Sequence, residues 1–198
     1  METLKIRITF TEEILGMSPS DPAIHEEYIA SKAPDALSRE EEVAAIGVDG
    51  VIEKSITVFP RNDAGEPIFF DYQLKGFFKD ACSMLTRVKG VTESSKLKAY
   101  RKIIDGLIFV KPRMIPIVSG GEFGNCQRPL RTNSPQGERT ALAHSETIPA
   151  GAYIDAEISL LDPAHEAALV EWLDYGALRG MGQWRNSGKG CFTWERRE

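Results

Sequence analysis

Two stretches of strict hydrophobic alternation constrain the fold of this 198-residue chain. In LKIRITF at 4–10 and AYIDAEISL at 152–160, apolar side chains occupy every second position. A period of two is typical of a β-strand with one buried face. The second stretch leads into Asp162 and Pro163, which suit the N-cap and the first position of a helix. The sequence therefore predicts two half-buried strands, and a helix that follows the second of them to about Gly176.

The rest of the chain supplies further strands and one more amphipathic helix. Asp71 is the expected N-cap of this helix. Apolar residues at steps of three and four predict its buried stripe, which consists of Leu74, Phe77, Phe78, Ala81, Leu85 and Val88. The stripe of the later helix is Ala168, Leu169, Trp172 and Leu173, and further strands are predicted at 55–59, 107–110, 114–118 and 191–195. Strands and helices in this mixed order predict an α+β domain.

Two segments interrupt this order. Residues 11–50 are rich in Glu, Ala, Ser and Pro, and we interpret them as an acidic insertion with one or two short helices. Residues 119–140 are rich in Gly, Pro and Arg and are predicted to form a long loop or a loose hairpin; so long a loop usually has a function or is mobile. With these two exceptions, residues 1–198 are predicted to form a single domain.

Charge is distributed unevenly along the chain. The formal net charge is −5, yet residues 73–131 carry 12 basic and 4 acidic side chains, a net of +8. Residues 1–72 have a net charge of −9, and residues 132–198 one of −4. Because a polyanion responds to the local field of a patch, the basic middle is compatible with a nucleic-acid partner. A solvated basic face without a partner is the alternative.

The three cysteines do not predict a metal site. Cys82, Cys126 and Cys191 are far apart and form no CxxC pair or Cys/His cluster, so neither a metal nor another cofactor is expected. We interpret them as reduced thiols of a cytoplasmic protein. The N-terminal sequence lacks the features of a signal peptide, and no apolar stretch approaches the roughly 20 residues that span a bilayer. No association with a membrane is expected.

Three segments resemble the RAMP superfamily, the ferredoxin-like proteins that form the crRNA-binding backbone and the processing subunits of CRISPR complexes. They are YQLKGFFKDACSML (72–85), SETIPAGAYIDAEISL (145–160) and GMGQWRNSGKGCFTW (180–194). The resemblance implies a ferredoxin-like or RRM-like antiparallel sheet with helices on one face, here with an acidic helical insertion. The whole chain also resembles small proteins encoded by bacteriophages and prophages of Gram-positive bacteria.

The sequence departs from the family pattern at two places. None of the acids in the insertion can be aligned with the acidic residue of the family's cleaving subunits. The usual Gly-Ser-Ser before Leu-Lys-Gly is replaced by Asp71, Tyr72 and Gln73. No catalytic residue is therefore predicted from the resemblance.

The glycine-rich loop at 180–190 is the main candidate for binding nucleic acid. Glycines let backbone N–H groups approach a phosphate, cations add charge, and an aromatic ring can stack on a base. The candidate residues are Gly180, Gly182, Trp184, Arg185, Asn186, Ser187, Gly188, Lys189 and Gly190. The alternative is that the glycines only form a tight connection between helix and strand, and that Trp184 caps the core.

Two further pairs of cations are candidate contacts with nucleic acid. Lys75 and Lys79 are four residues apart on the polar face of a predicted helix and are therefore neighbours. Arg128 and Arg131, in the Gly- and Arg-rich segment, could form a flexible clamp. Each pair could equally belong to an ordinary solvated surface.

These observations predict a non-catalytic protein that binds nucleic acid, RNA rather than DNA and single-stranded rather than double-stranded, with a possible protein partner or a homo-oligomer. The first alternative, based on the acidic first 72 residues, is a phage-type protein that binds or imitates a component of a nucleic-acid-based defence system. The second is a metal-independent endoribonuclease that uses His25 or His144 as a general acid or base. The chain has three histidines, His25, His144 and His165. Histidines in such positions more often contribute to packing or lie on the surface than act as catalysts.

Overall fold

The computed structural model describes residues 2–19, 56–134 and 137–198. The strands are β1 Glu2–Phe10, β2 Ile14–Leu15, β3 Ser18–Pro19, β4 Thr57–Val58, β5 Ile68–Phe70, β6 Ile108–Lys111, β7 Met114–Pro116, β8 Gly124–Ser134, β9 Gly137–Ile148, β10 Tyr153–Leu160 and β11 Phe192–Arg197. The helices are α1 Asp71–Leu85, α2 Glu93–Lys96, α3 Tyr100–Leu107 and α4 Glu166–Arg179.

The central sheet has four antiparallel strands in the order β11-β1-β10-β6. The strand β10 lies between β1 and β6, and β11 lies on the other side of β1. Helices α1 to α3 connect β1 with β6, and α4 connects β10 with β11. This double strand-helix-strand arrangement is the ferredoxin-like topology, so the predicted fold class is confirmed.

The alternation seen in the sequence separates the two faces of this sheet. On β1 the side chains of Leu4, Ile6, Ile8 and Phe10 are buried, while Lys5 between them is exposed. On β10 the apolar positions from Ile154 to Leu160 are likewise buried. Burial of one face and exposure of the other fixes the register, because a slip of one residue would turn every apolar side chain toward water.

Aromatic side chains fill the space between the sheet and the helices. Trp172 of α4 is fully buried and lies 5.8 Å from Phe78 of α1, measured between ring centroids. Phe77 of α1 contacts Phe192 of β11 at 5.2 Å. The helix α4 lies so close to β11 that a Cβ atom at Gly176 would be 2.1 Å from Cζ of Phe192. The buried stripe predicted for α4 is confirmed.

The start of α1 differs from the sequence prediction by one residue. The N-cap is Phe70, whose backbone N–H donates to Oε1 of Gln73 at 2.8 Å, and Asp71 is the first helical residue. Asp71 still stabilises the helix, because a carboxylate in the first turn interacts favourably with the helix dipole. Val88, predicted in the buried stripe, follows the end of the helix and is 51% exposed. Asp162 accepts a hydrogen bond from the N–H of Ala164, as expected of an N-cap.

A second compact unit comprises the described residues of Leu15–Phe59 and Phe123–Thr147. Within it β8 and β9 form an antiparallel hairpin whose register runs from Gly124 opposite Thr147 to Ser134 opposite Gly137. For most of residues 119–140 the structure therefore has the hairpin, the second of the two predicted alternatives. The described side chains of Gly124–Pro129 in this hairpin are exposed or half-buried.

Most of the predicted acidic insertion, residues 20–55, lies outside the described residues. So does His25. Nine of the 15 acidic side chains among residues 1–72, on which the first alternative function depends, also lie outside the described residues. The cysteines are free thiols, and two of them, Cys82 and Cys191, are buried. None of the described helices combines the length and the apolar character that a membrane crossing needs.

Candidate nucleic-acid interface

The glycine-rich loop connects α4 to β11, and its two ends lie against each other. The N–H of Met181 donates to the carbonyl of Gly190 at 2.8 Å. A Cβ atom at Gly190 would be 1.9 Å from the carbonyl oxygen of Met181, and one at Gly180 would be 2.6 Å from the carbonyl carbon of Gly190. Both glycines also have positive φ angles. These two positions therefore need glycine for the backbone crossing itself.

The tip of the loop is more open than its base. A short 3-10 turn, Arg185–Ser187, lies between Trp184 and Gly188, both of which have positive φ angles. A Cβ atom at Gly188 would have no neighbour within 4 Å. The side chain of Trp184 is 39% exposed. Gly182 also has a positive φ angle.

Two arginines of this region share one carboxylate. Arg185 donates to Oδ2 of Asp80 at 2.7 Å, and Arg179 at the end of α4 donates to the same oxygen at 2.9 Å. Asp80 raises the pKa of Arg179 by this hydrogen bond. Arg179 also donates to Oδ1 of Asn186 at 2.8 Å, which holds the 3-10 turn against α4. Sequence reasoning missed Arg179, because a basic residue in the last turn of a helix is common.

The second predicted cation of the loop is also paired. Nζ of Lys189 donates to Oε1 of Glu13, and the backbone N–H of Gly190 donates to the carbonyl of Glu13 at 2.9 Å. The residue after β1 therefore fixes the end of the loop. A phosphate at the loop would have to compete with Asp80 and Glu13 for Arg185 and Lys189.

Lys75 and Lys79 both contact the last turn of α3. Nζ of Lys79 forms an ion pair with Oδ1 of Asp105 at 2.6 Å, and Nζ of Lys75 donates to the carbonyl oxygen of Asp105 at 3.3 Å. Nζ of Lys75 is also 5.0 Å from the centroid of the Phe109 ring. The two lysines share one side of α1, as the spacing predicts, but both are half-buried and engaged with α3.

Arg128 and Arg131 lie on β8, in the second compact unit. Arg128 is opposite Ala143 and half-buried, and Arg131 is opposite Thr140. The side chain of Arg131 lies outside the described part of the structure. The structure thus places these arginines on a strand rather than in a loop.

A basic segment, residues 86–102, runs from the end of α1 into α3. All six cations of the segment are exposed. Five of them form no ion pair with any described residue: Arg87, Lys89, Lys98, Arg101 and Lys102. The sixth cation, Lys96, pairs with Glu93 at 2.6 Å. The sequence shows this positive charge. The segment contains no motif, however, that distinguishes a binding surface from an ordinary solvated surface.

The face of the central sheet opposite the helices carries a second basic feature. A groove of about 700 Å³ is lined by Lys5, Ile6, Lys111, Pro112, Arg113, Asp155, Ala156, Glu157 and Arg197. Four of these side chains are basic and two are acidic. The register places Lys5, Glu157 and Lys111 side by side on three neighbouring strands. Sequence reasoning treated these alternate positions only as the solvent-facing half of each strand.

One ion pair on this face is held rigidly beside the groove. Arg7 donates to both carboxylate oxygens of Asp155 at 2.7 Å, and its guanidinium carbon lies 3.9 Å from the centroid of the Tyr153 ring. The hydrogen bonds from Arg7 hold the pKa of Asp155 below its usual value. Asp155 therefore remains ionised, and its charge is paired with that of Arg7.

The two described histidines lie on different elements. His165 lies in the turn before α4, with its side chain 12% exposed and Nε2 4.0 Å from Oδ2 of Asp162. His144 lies on β9, half-buried and opposite Gln127. Within the described residues, no three His, Cys, Asp or Glu side chains are placed to hold a metal ion.

No protein-family model matches this sequence, and no curated protein matches it. The fold does match a solved structure. The similar chain comes from the cryo-EM structure of the Type III-B Cmr-beta bound to cognate target RNA, with a TM-score of 0.55 and 12% sequence identity. The match covers 99% of this chain and 58% of that chain, so this chain spans little more than half the length of the one it matches.

The chain has a ferredoxin-like fold that is distantly similar to the fold of this Cmr-beta chain. The three segments that resemble the superfamily lie on its central elements: residues 72–85 belong to α1, 145–160 include β10, and 180–194 are the loop and the start of β11. At 12% identity the similarity concerns the fold, and fold alone does not determine function.

Proposed function

We propose that this chain is a non-catalytic RAMP-type protein that binds single-stranded nucleic acid, RNA in preference to DNA, as a subunit of a larger assembly. The observation that carries the proposal is the basic segment 86–102. Five exposed cations lie within sixteen residues and form no ion pair with any described residue, in a chain whose net charge is −5. A local concentration of positive charge of this kind is the electrostatic footprint of phosphate binding.

The structural setting of the segment supports a fixed surface. Thr92 caps α2 through the N–H of Ser95, and the carboxylate of Glu171 accepts hydrogen bonds from the backbone N–H groups of Glu93 and Ser94. The short helix α2 is thereby attached to α4. Cations on an anchored backbone lose less conformational freedom on binding than cations on a mobile chain.

The preference for RNA follows from the RAMP resemblance. The segments around α1, β10 and the glycine-rich loop resemble crRNA-binding proteins, and a chain of similar fold belongs to a structure with bound target RNA. The same resemblance to backbone subunits supports action within an assembly, with copies of this chain or with other proteins.

The loop residues 180–190, Lys75, Lys79, Arg128 and Arg131 remain proposed as secondary contacts. Arg185 and Lys189 would exchange Asp80 and Glu13 for a phosphate, so part of the binding free energy would be offset by the broken ion pairs. We therefore expect the loop to contribute less to affinity than the basic segment. The ring of Trp184, which is 39% exposed, could stack on a base.

The proposal is tested with a variant in which the five exposed cations of the basic segment are replaced by Gln. Binding of a fluorescent single-stranded RNA, measured by anisotropy at about 50 mM salt, should weaken at least about tenfold because several phosphate contacts are lost. The matched control is Arg196→Gln, which removes an exposed cation that pairs with Glu166 on α4. RNA binding that is equal in the wild type and the five-residue variant would contradict the role of the segment.

A further inference from the structure

We propose that the groove on the open face of the central sheet binds one nucleotide unit of a single strand, with its phosphate at Lys111 and Arg113 and its base stacked on Phe109. This inference rests on the proposed function and assigns it a specific site. The basic segment connects α1 with α3, whereas the groove is lined by residues of β1, β6, β10 and β11 and of the turn after β6.

The groove has the dimensions of a ligand site. Its volume of about 700 Å³ lies within the range of roughly 300–1,000 Å³ that is usual for small-molecule and cofactor pockets. Lys5 and Lys111 lie two strands apart, about 10 Å across the sheet at the usual strand spacing. A nucleotide unit can therefore lie between the two sides of the groove.

The charges in the groove favour an anion on the β6 side. Lys111 and Arg113 are both exposed, and neither forms an ion pair with a described residue. On the opposite side Lys5 contacts the backbone carbonyl of Glu198, and Arg197 pairs with Glu195 at 3.2 Å. The positive potential is therefore least compensated where β6 ends.

Neither acid of the groove forms an ion pair with Lys111 or Arg113. Asp155 is engaged by Arg7 through both carboxylate oxygens. Glu157 is exposed between Lys5 and Lys111 and faces both of them in register. A carboxylate at that position repels a phosphate over the middle of the sheet. Because the phosphate is excluded there, Lys111 and Arg113 are the cations left to bind it.

Phe109 provides an aromatic surface next to these cations. It lies two residues before Lys111 on β6, so the two side chains are on the same face of the sheet. Its neighbours Ile108 and Val110 are buried, whereas Phe109 is 40% exposed. An exposed aromatic ring on a sheet, beside cations that track a backbone, is the arrangement that binds unpaired bases by stacking.

The contact of Lys75 with the Phe109 ring fits the same role. Nζ of Lys75 is 5.0 Å from the ring centroid and donates to the carbonyl of Asp105. This interaction holds the ring in place at the edge of the sheet. A ring whose orientation is already fixed needs less ordering when a base stacks on it.

Two sets of variants test the site with a fluorescent single-stranded oligouridine at low salt. Phe109→Ala should weaken binding about 5- to 100-fold, whereas Phe109→Tyr, which keeps a stacking ring, should bind nearly as the wild type. In Lys111→Gln/Arg113→Gln the slope of log K against log salt should become shallower by about 0.7, since the one phosphate that these two cations neutralise is no longer bound. Thermal unfolding of each variant shows that the fold is retained.

A photocrosslink separates a direct contact from an indirect effect. RNA that contains 5-iodouridine should crosslink to Phe109 on irradiation, and mass spectrometry of the digested adduct identifies the residue. If every groove variant binds RNA as tightly as the wild type, or if crosslinks are confined to the basic segment, the groove site is overturned. The proposed function then remains intact. A wild type that binds no RNA at low salt overturns both.

Discussion

Gly190 lies at the point where two stretches of backbone cross. Its φ of +72° is unfavourable for other residues, and a Cβ atom would be 1.9 Å from the carbonyl oxygen of Met181. Gly188 has a similar φ of +79° but open space around the Cβ position. The two glycines therefore separate the effect of backbone strain from that of a steric clash.

We expect Gly190→Ala to lower the free energy of unfolding by more than about 3 kcal/mol, because the fold must move its own backbone to fit the methyl group. Gly188→Ala should cost only about 1–2 kcal/mol, the strain of the left-handed conformation. Urea denaturation of the two variants measures both values. Equal losses would show that the loop is not packed at its base as described.

The partners of the charged loop residues could not have been predicted from their positions in the sequence. Arg185 is 105 residues from Asp80, and Lys189 is 176 residues from Glu13. The sequence shows that cations occur next to glycines, which matches a phosphate loop. Only the folded chain shows that each cation has a carboxylate within reach. Pairing over such distances depends on the completed sheet and helices.

The four-residue helix α2 depends on α4 for its stability. An isolated helix of this length is not stable in water, because nucleation is unfavourable. Here the carboxylate of Glu171 accepts hydrogen bonds from the N–H groups of Glu93 and Ser94 at 2.9 Å and from the Ser94 hydroxyl at 2.5 Å. The indole N–H of Trp172 donates to the same hydroxyl at 2.9 Å. This arrangement joins the middle of the basic segment to the core.

Glu171→Ala should lower the free energy of unfolding by about 2–3 kcal/mol, because it leaves donors at the start of α2 without their acceptor. RNA binding should weaken as well, since the backbone that carries Lys98 and Arg101 loses its anchor. Glu166→Ala, which breaks only the exposed pair with Arg196, should cost less than about 1 kcal/mol. If chemical denaturation gives the same loss for both variants, Glu171 does not anchor α2.

At the scale of elements, the sequence predicts those strands and helices that bury one face in the core. The strands β1 and β10 and the helix α4 were predicted correctly, because each buries one face and therefore shows a clear period. In the hairpin of β8 and β9 the buried alternate positions Ser145 and Thr147 are polar, so the sequence shows no apolar period there and its strands were predicted only as one of two alternatives. Its pairing is set by backbone hydrogen bonds, which leave little trace in the order of side chains.

At the scale of the molecule, the groove is a surface that the linear order of residues does not predict. Lys5, the pair Lys111 and Arg113, and Arg197 come from three separate parts of the sequence, and only the strand order brings them together. The sequence predicted the fold and the sign of the charge in the middle of the chain. It could not predict which cations share a surface, because that depends on strands that are neighbours in the sheet but far apart in the sequence.

The central claim is that the chain binds single-stranded RNA through its phosphates. The most direct measurement is the association constant of the wild-type protein with a labelled single-stranded RNA at a series of salt concentrations. The account predicts binding at about 50 mM salt and a linear decrease of log K with log salt, with a slope of about −3.5 or steeper if the five cations of the basic segment all contact phosphates. DNA of the same sequence should bind more weakly. No binding at low salt, or binding that does not change with salt, would contradict the account.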